Sequence, residues 1–173
     1  MATQRSWKDA DGDAAMREFL LVPPPRRAAI RELMKEILSP DLFTRRCAAD
    51  LARRVSAREP GILSRYADLL IDLITEIPLD QWQARGYIAL AAANNAITRR
   101  QRMSLVVPVR ALLEDERIAI RAISLEAFAI LAIAEAELRD EAMLLLESAR
   151  HDKTPALRSR ARRMIPQLAA AMK

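Results

Sequence analysis

The side chains that could do chemistry in this 173-residue chain are few, and their spacing points away from an active site. His151 is the only histidine, so no serine–histidine or cysteine–histidine arrangement has a second histidine to draw on, and no cage of histidine ligands can hold a metal. It stands beside Asp152 in an expected turn, where a solvated loop histidine is the natural reading. Cys47, the single cysteine, cannot form an internal disulfide, and its apolar helical run suits a small buried hydrophobe rather than a reactive thiol. Glycines occur only at 12, 61 and 86, which leaves no glycine-rich loop for phosphate. The carboxylate pairs Asp68/Asp72 and Glu137/Glu141 have i, i+4 spacing, and a charge row at that spacing is a solvated helix face. No catalytic residue, cofactor or metal is expected, and the chain does not read as an enzyme.

Arginine is abundant instead, at 24 residues against 4 lysines. Codon usage in a GC-rich genome accounts for that ratio better than selection for phosphate-binding forks. The net charge of +5 is unevenly spread. Residues 150–173 carry seven cations against Asp152 alone, whereas 111–149 carry nine acidic residues against three basic ones. Two further basic blocks lie at 26–58 and at 99–110, the second formed by Arg99, Arg100, Arg102 and Arg110.

The elements that must position these charges follow from a repeat. Four times an Asp opens a segment and an Arg follows 4 to 6 residues later: Asp41/Arg45, Asp80/Arg85, Asp115/Arg121 and Asp152/Arg158. The Asp residues are 39, 35 and 37 positions apart, the spacing of a repeated two-helix unit. The expected fold is therefore all-α, an α-solenoid of about four and a half helical hairpins. Its helices are expected at 41–56 and 60–76, 80–95 and 98–114, 116–133 and 137–150, with 154–171 closing the chain. A short helix after Asp13 and a helix beginning in the prolines at 23–25 precede them, since proline suits a first helical turn. Pro108 is expected to kink the helix that contains it. Residues 1–12 read as a loose tail and 13–173 as one domain. Composition agrees: half the residues are hydrophobic, only 4% are aromatic, and nothing alternates at period two. The first residues, MATQRSWKDADGD, lack the apolar run of a signal peptide, and Gly86 to Thr98 is too short to span a bilayer. A cytoplasmic protein without membrane contact is expected.

Asp115 to Arg121 with Phe128, and Asp152 to Arg158 with Ala161 and Ile165, resemble HEAT repeats, as DQWQAR at 80–85 resembles small single-domain bacterial HEAT-repeat proteins with no assigned activity. The resemblance runs over residues 24–171. It implies that the Asp–Arg pairs form a structural ladder, each Asp capping its helix and each Arg bridging to an Asp or a carbonyl of the next repeat. It also implies that second helices face the concave side, which places Arg26, Arg27, Arg31 and the Arg99–Arg110 row there. Asp68 and Asp72 lie between those rows and Glu137, Asp140 and Glu141 beyond them, so the stripe alternates in sign. Alternation suits a complementary protein partner better than a uniform polyanion. A non-catalytic scaffold binding another protein is the leading expectation, with an electrostatic nucleic-acid binder as the alternative. Some bacterial DNA glycosylases are HEAT solenoids that use Trp, Asp and Arg, and Asp80, Trp82 and Arg85 supply those types; this is the distant third reading. On the last helix the stripe Leu157, Ala161, Ile165 and Leu168 is expected to face inward. Arg160 and Arg163 would then point outward as a basic cap, either for solubility or to dock an acidic surface. No oligomeric state is read from the sequence.

Overall fold

The computed structural model describes residues 12–23 and 26–173. The expected tail lies outside the described residues except for Gly12, which already belongs to the first helix. Nine α-helices follow among the described residues: α1 (Gly12–Leu21), α2 (Arg27–Ile37), α3 (Leu42–Arg58), α4 (Ala67–Glu76), α5 (Trp82–Asn95), α6 (Arg99–Leu113), α7 (Ile118–Ala134), α8 (Arg139–Arg150) and α9 (Pro155–Ala171). Short 3-10 turns at Ser64–Tyr66, Leu79–Gln81 and Ala136–Leu138 lead into α4, α5 and α8. No strand occurs among the described residues.

Two helices start later than the sequence suggests. Arg26, at φ +36, sits in the left-handed region immediately before α2, so the helix begins at Arg27 and Pro23 precedes it. Pro24 and Pro25 lie outside the described residues. Before α4, Gly61 adopts φ +85 and gives its N–H to the Asn94 carbonyl, while the Leu63 N–H goes to Asn95 Oδ1. Those donors are spent on the end of α5, so regular helix waits until Ala67. Helix α6 runs on through Pro108, and α9 through Pro166.

Packing is ordered along the chain. Helix α1 lies on α3, α3 on α5, α5 on α7 and α7 on α9, while α4, α6 and α8 pack against their odd-numbered neighbours. Small residues permit the close approach. Ala84, Ala89, Ala91 and Ala92 of α5 and Ala122, Ala127, Ala129 and Ala132 of α7 are all buried, with Ile88 and Phe128 fully enclosed. At Gly86 an added Cβ would stand 2.8 Å from Ile120 Cδ1, so the end of that side chain would have to shift to admit it. A helix buried on most sides is apolar on most sides, as the sequence of α7 is.

Arginine closes the helix ends. Seven guanidiniums donate to carbonyls at the end of the preceding helix or in the turn after it: Arg26 to Leu20 and Val22, Arg45 to Ile37, Arg85 to Ile74, Arg102 to Ala96 and Ile97, Arg121 to Asp115, Arg139 to Ala132 and Ile133, and Arg158 to Asp152 and Lys153. The last carbonyls of a helix have no partner within it, and a cationic fork supplies one. The α3–α4 junction uses Asn95 instead. This buried side chain accepts from Leu63 N–H at 2.6 Å and donates to Ser56 Oγ and to the Ala91 carbonyl, both at 2.7 Å.

The four repeating arginines thus bind the connection before their own helix, and Arg121 also acts on Asp152 of the next unit. Arg45 likewise reaches the next unit, at Gln81 Oε1, 2.5 Å away. The Asp residues divide. Asp41 caps α3, accepting from Thr44 N–H at 2.8 Å. Asp115 and Asp152 take the N–H two residues on, from Arg117 and Thr154, tightening the turn rather than capping the helix. Asp80 lies exposed in its 3-10 turn, and the start of α5 has no side-chain cap.

Candidate functional site

Each arginine of the basic row on α6 meets a carboxylate. Arg100 grips both oxygens of Asp68 on α4 at 3.0 Å. Arg99 donates to Glu137 at 2.8 Å and lies 3.6 Å from Glu135, while Arg102 Nε donates to Glu135 at 2.6 Å. Arg110 forks onto Glu141 of α8, its Nε at 2.9 Å, and lies 5.6 Å from the centre of the Phe128 ring. The Glu141 hydrogen bond raises Arg110 above its ordinary value, fixing it as a cation. Carboxylates on both flanks therefore neutralise the row. At the other basic block, Arg26 pairs with Glu59 at 2.7 Å, whereas Arg27 and Arg31 are exposed.

The C-terminal helix differs more from its expected orientation. Its buried stripe is Leu157, Ala161, Met164 and Leu168, with Ile165 only partly covered. That rotation carries Arg160 and Arg163 toward α7, where both form ion pairs with Glu126. Arg160 contacts one carboxylate oxygen and Arg163 the other. The Arg160 side chain is 25% exposed, that of Glu126 11% and that of Arg163 51%, so the two arginines turn to a shared, largely buried carboxylate rather than standing wholly free in solvent. Burial, with the Arg163 and Arg53 charges nearby, pulls Arg160 down to about 10, which still leaves it charged at neutral pH. Glu126 went unremarked in the sequence, yet the signal was there: a carboxylate in the middle of helix 118–134, whose only other charge is Arg121.

A second polar group lies on α3. Arg53 and Arg54 of α3 share Asp50, with Nε atoms 3.0 and 2.7 Å from its oxygens, and Arg53 lies 5.0 Å from the centre of the Tyr87 ring on α5.

At the opposite end of α3 an apolar cleft of about 280 Å³ opens between the starts of α3 and α5, lined by Leu42, Phe43, Arg46, Asp80, Gln81, Gln83 and Ala84. Leu42 is 55% exposed, Phe43 48% and Leu79, next to Asp80, 71%. Arg46 lies 5.1 Å from the Phe43 ring centre and donates to Gln83 at 3.4 Å.

The residue types that could hold a flipped base are not assembled as one site. Trp82 packs against the core, Arg85 is committed to the Ile74 carbonyl at 2.9 Å, and Asp80 stays exposed. Cys47 is half-buried, and burial pushes its thiol above 9.0 although Arg46 partly offsets this. His151 caps the end of α8 in an exposed turn. Among the described residues no group of three or more His, Cys, Asp or Glu side chains is arranged to hold a metal ion, and no helix is long and apolar enough to cross a membrane. Comparison of the chain with family models, with curated proteins and with solved structures finds no match.

Proposed function

We propose that this chain is a non-catalytic α-solenoid scaffold of HEAT type, acting in the cytoplasm, that binds another protein. The architecture is supported by the 35–39-residue period of its Asp residues together with the packing of each odd-numbered helix on the next. The choice of partner class rests on one observation. Arg99, Arg100, Arg102 and Arg110 are each held by a carboxylate of the same chain, while Leu42, Phe43 and Leu79 stand exposed around the cleft. A polyanion gains its affinity from cations it can neutralise, and these are already neutralised. An exposed apolar patch rimmed by polar side chains suits a protein surface.

A photo-crosslinking residue introduced at Phe43 in the full-length chain, expressed in its native cell, tests this reading. The expected result is a discrete protein adduct that disappears when Leu42 and Leu79 are changed to Asp. Adducts confined to nucleic acid, or an adduct pattern indifferent to those changes, would overturn it. The electrostatic nucleic-acid reading keeps a narrower footing in the exposed Arg27, Arg31 and Arg162.

A further inference from the structure

The cleft at the starts of α3 and α5 is lined by two charges of opposite sign that have no ion partner among the described residues. On the α3 wall, Arg46 lies 5.1 Å from the Phe43 ring centre and donates to Gln83 at 3.4 Å, but no carboxylate among the described residues pairs with it. On the α5 wall, Asp80 is exposed, and among the described residues no cation or hydrogen-bond donor meets it. Other arginines nearby are spent: Arg45 is taken up by the Ile37 carbonyl and Gln81, and the α6 row meets its carboxylates. The same cleft is lined by apolar Leu42, Phe43 and Ala84, and Leu79 stands beside Asp80. Its volume of about 280 Å³ falls just below the range of about 300–1,000 Å³ typical of small-molecule sites, and suits apolar side chains from another surface. The patch is thus apolar, neutral in sum and marked by one charge of each sign. A surface that covers it must offer an apolar anchor, a carboxylate for Arg46 and a cation for Asp80. The patch itself offers all three.

We propose that this face binds a second copy of the same chain about a twofold axis, with Arg46 of each copy paired to Asp80 of the other and Leu42, Phe43 and Leu79 packed between them. This rests on the protein-binding reading and names the partner at that cleft. A twofold interface is isologous, so every contact occurs twice and the patch needs only to complement itself. A segment of one sign satisfies one wall of the cleft and is repelled by the other, and like charges set together across an interface are costly. A polyanion fares worse, since it gains one cation and meets Asp80 as a repulsive charge. In the twofold arrangement the apolar side chains, 55, 48 and 71% exposed, leave water together, while the two ion pairs set the register.

The test is sedimentation velocity of the full chain over a concentration series, with the variants Arg46→Asp, Asp80→Arg and, as control, Arg162→Asp, an exposed position on α9. Thermal melts by circular dichroism verify that each variant is folded. The expected result is a dimer for wild type and R162D, and self-association weakened about tenfold or more in R46D and in D80R, because like charges then face each other at both symmetric contacts. An equimolar mixture of R46D and D80R is expected to regain the dimer. In that mixture the new carboxylate of one variant meets the new guanidinium of the other, and the untouched Asp80 and Arg46 meet as in wild type. A monomeric wild type, a dimer that persists in either single variant, or a mixture that stays monomeric overturns the proposal. The Phe43 adduct is expected at twice the mass of the chain. An adduct with a different protein, from a chain that is itself monomeric, sinks the twofold pairing and leaves the scaffold standing. Loss of the adduct sinks the scaffold reading itself.

Discussion

The two rows of helices in this molecule are joined by different physics. Helices α3, α5, α7 and α9 meet through buried alanine, leucine and isoleucine, with Phe128 and Gly86 among them. Helices α4, α6 and α8 are linked by arginines that reach outward to carboxylates: Arg100 to Asp68, Arg99 to Glu137 and Arg110 to Glu141. Where backbones approach closely, residue size decides the arrangement, and dispersion and apolar burial stabilise it. Between α4, α6 and α8 the long charged side chains link neighbours at little net gain, since exposed ion pairs contribute only a fraction of a kcal/mol. The triad of Arg160, Arg163 and Glu126 is the exception, an ion pair set within the apolar row. The lesson concerns charge. A row of arginines on one helix does not mark a binding surface until the carboxylates on its neighbours have been counted.

The contrast should break first in the apolar row. Phe128→Ala removes a fully buried ring between α7 and its neighbours, and a loss of about 3–5 kcal/mol is expected in urea unfolding. A loss below 1 kcal/mol would mean that the row is not close-packed. Next comes the exception. Glu126→Ala leaves two guanidiniums without their carboxylate, and because both reach solvent the cost should fall below that of a fully buried pair, at about 2 kcal/mol. An unchanged melt would make the triad a surface feature.

Junction arginines should fall between the two rows and differ among themselves. Arg158 donates at 2.9 and 2.7 Å to two carbonyls, whereas Arg121 reaches one at 3.4 Å. Arg158→Ala is therefore expected to cost about 1–2 kcal/mol and Arg121→Ala less than half of that. The reverse order in matched thermal melts would show that hydrogen-bond geometry does not govern these positions. In the polar row, Arg100→Ala should cost about 0–1 kcal/mol, and that difference should vanish in about 1 M salt. A salt-independent loss would place Arg100 among the packed residues instead.

The smallest effect is a titration. Hydrogen bonds from Thr154, helped by Arg121 and Arg158, hold Asp152 below its ordinary 3.8. A carboxyl whose folded value is depressed adds stability above its unfolded pKa, and that contribution is lost as pH falls through the folded value. An NMR titration should find Asp152 half-protonated below 3.8, and Thr154→Ala should raise it. A midpoint at or above 3.8 in the intact chain would contradict the turn geometry.

Helix order was legible in the sequence because its cues are local. Asp41 caps α3 through Thr44, three residues on, and α5 ends at Asn95, the last residue of the range expected for it. The starts of α2 and α4 were not, because each depends on a left-handed residue, Arg26 or Gly61, whose conformation is set by contacts beyond its own helix. In α9 the choice between Met164 and Ile165 as the buried residue is one helical step, and the sequence pattern admits either. That step decides whether Arg160 and Arg163 face solvent or Glu126. The pairings that settle the candidate surfaces join residues far apart in the chain. Arg110 and Glu141 are separated by 31 positions, Arg99 and Glu137 by 38, so no local motif announces them. The sequence does show the acidic block at 111–149 following the basic block at 99–110, which is the alternation in sign that these pairings realise.

On this reading Arg99, Arg100 and Arg110 serve the fold and are not free for a polyanion. Its most direct test is anisotropy of a labelled oligonucleotide at about 0.15 M salt, with wild type compared with a triple variant carrying Asp68→Asn, Glu137→Gln and Glu141→Gln. Those changes release Arg100, Arg99 and Arg110 from their partners. The prediction is that wild type leaves the oligonucleotide free, whereas the variant binds it with steep salt dependence. Wild type binding as tightly as the variant would contradict it, because the arginines would then be available despite their carboxylates.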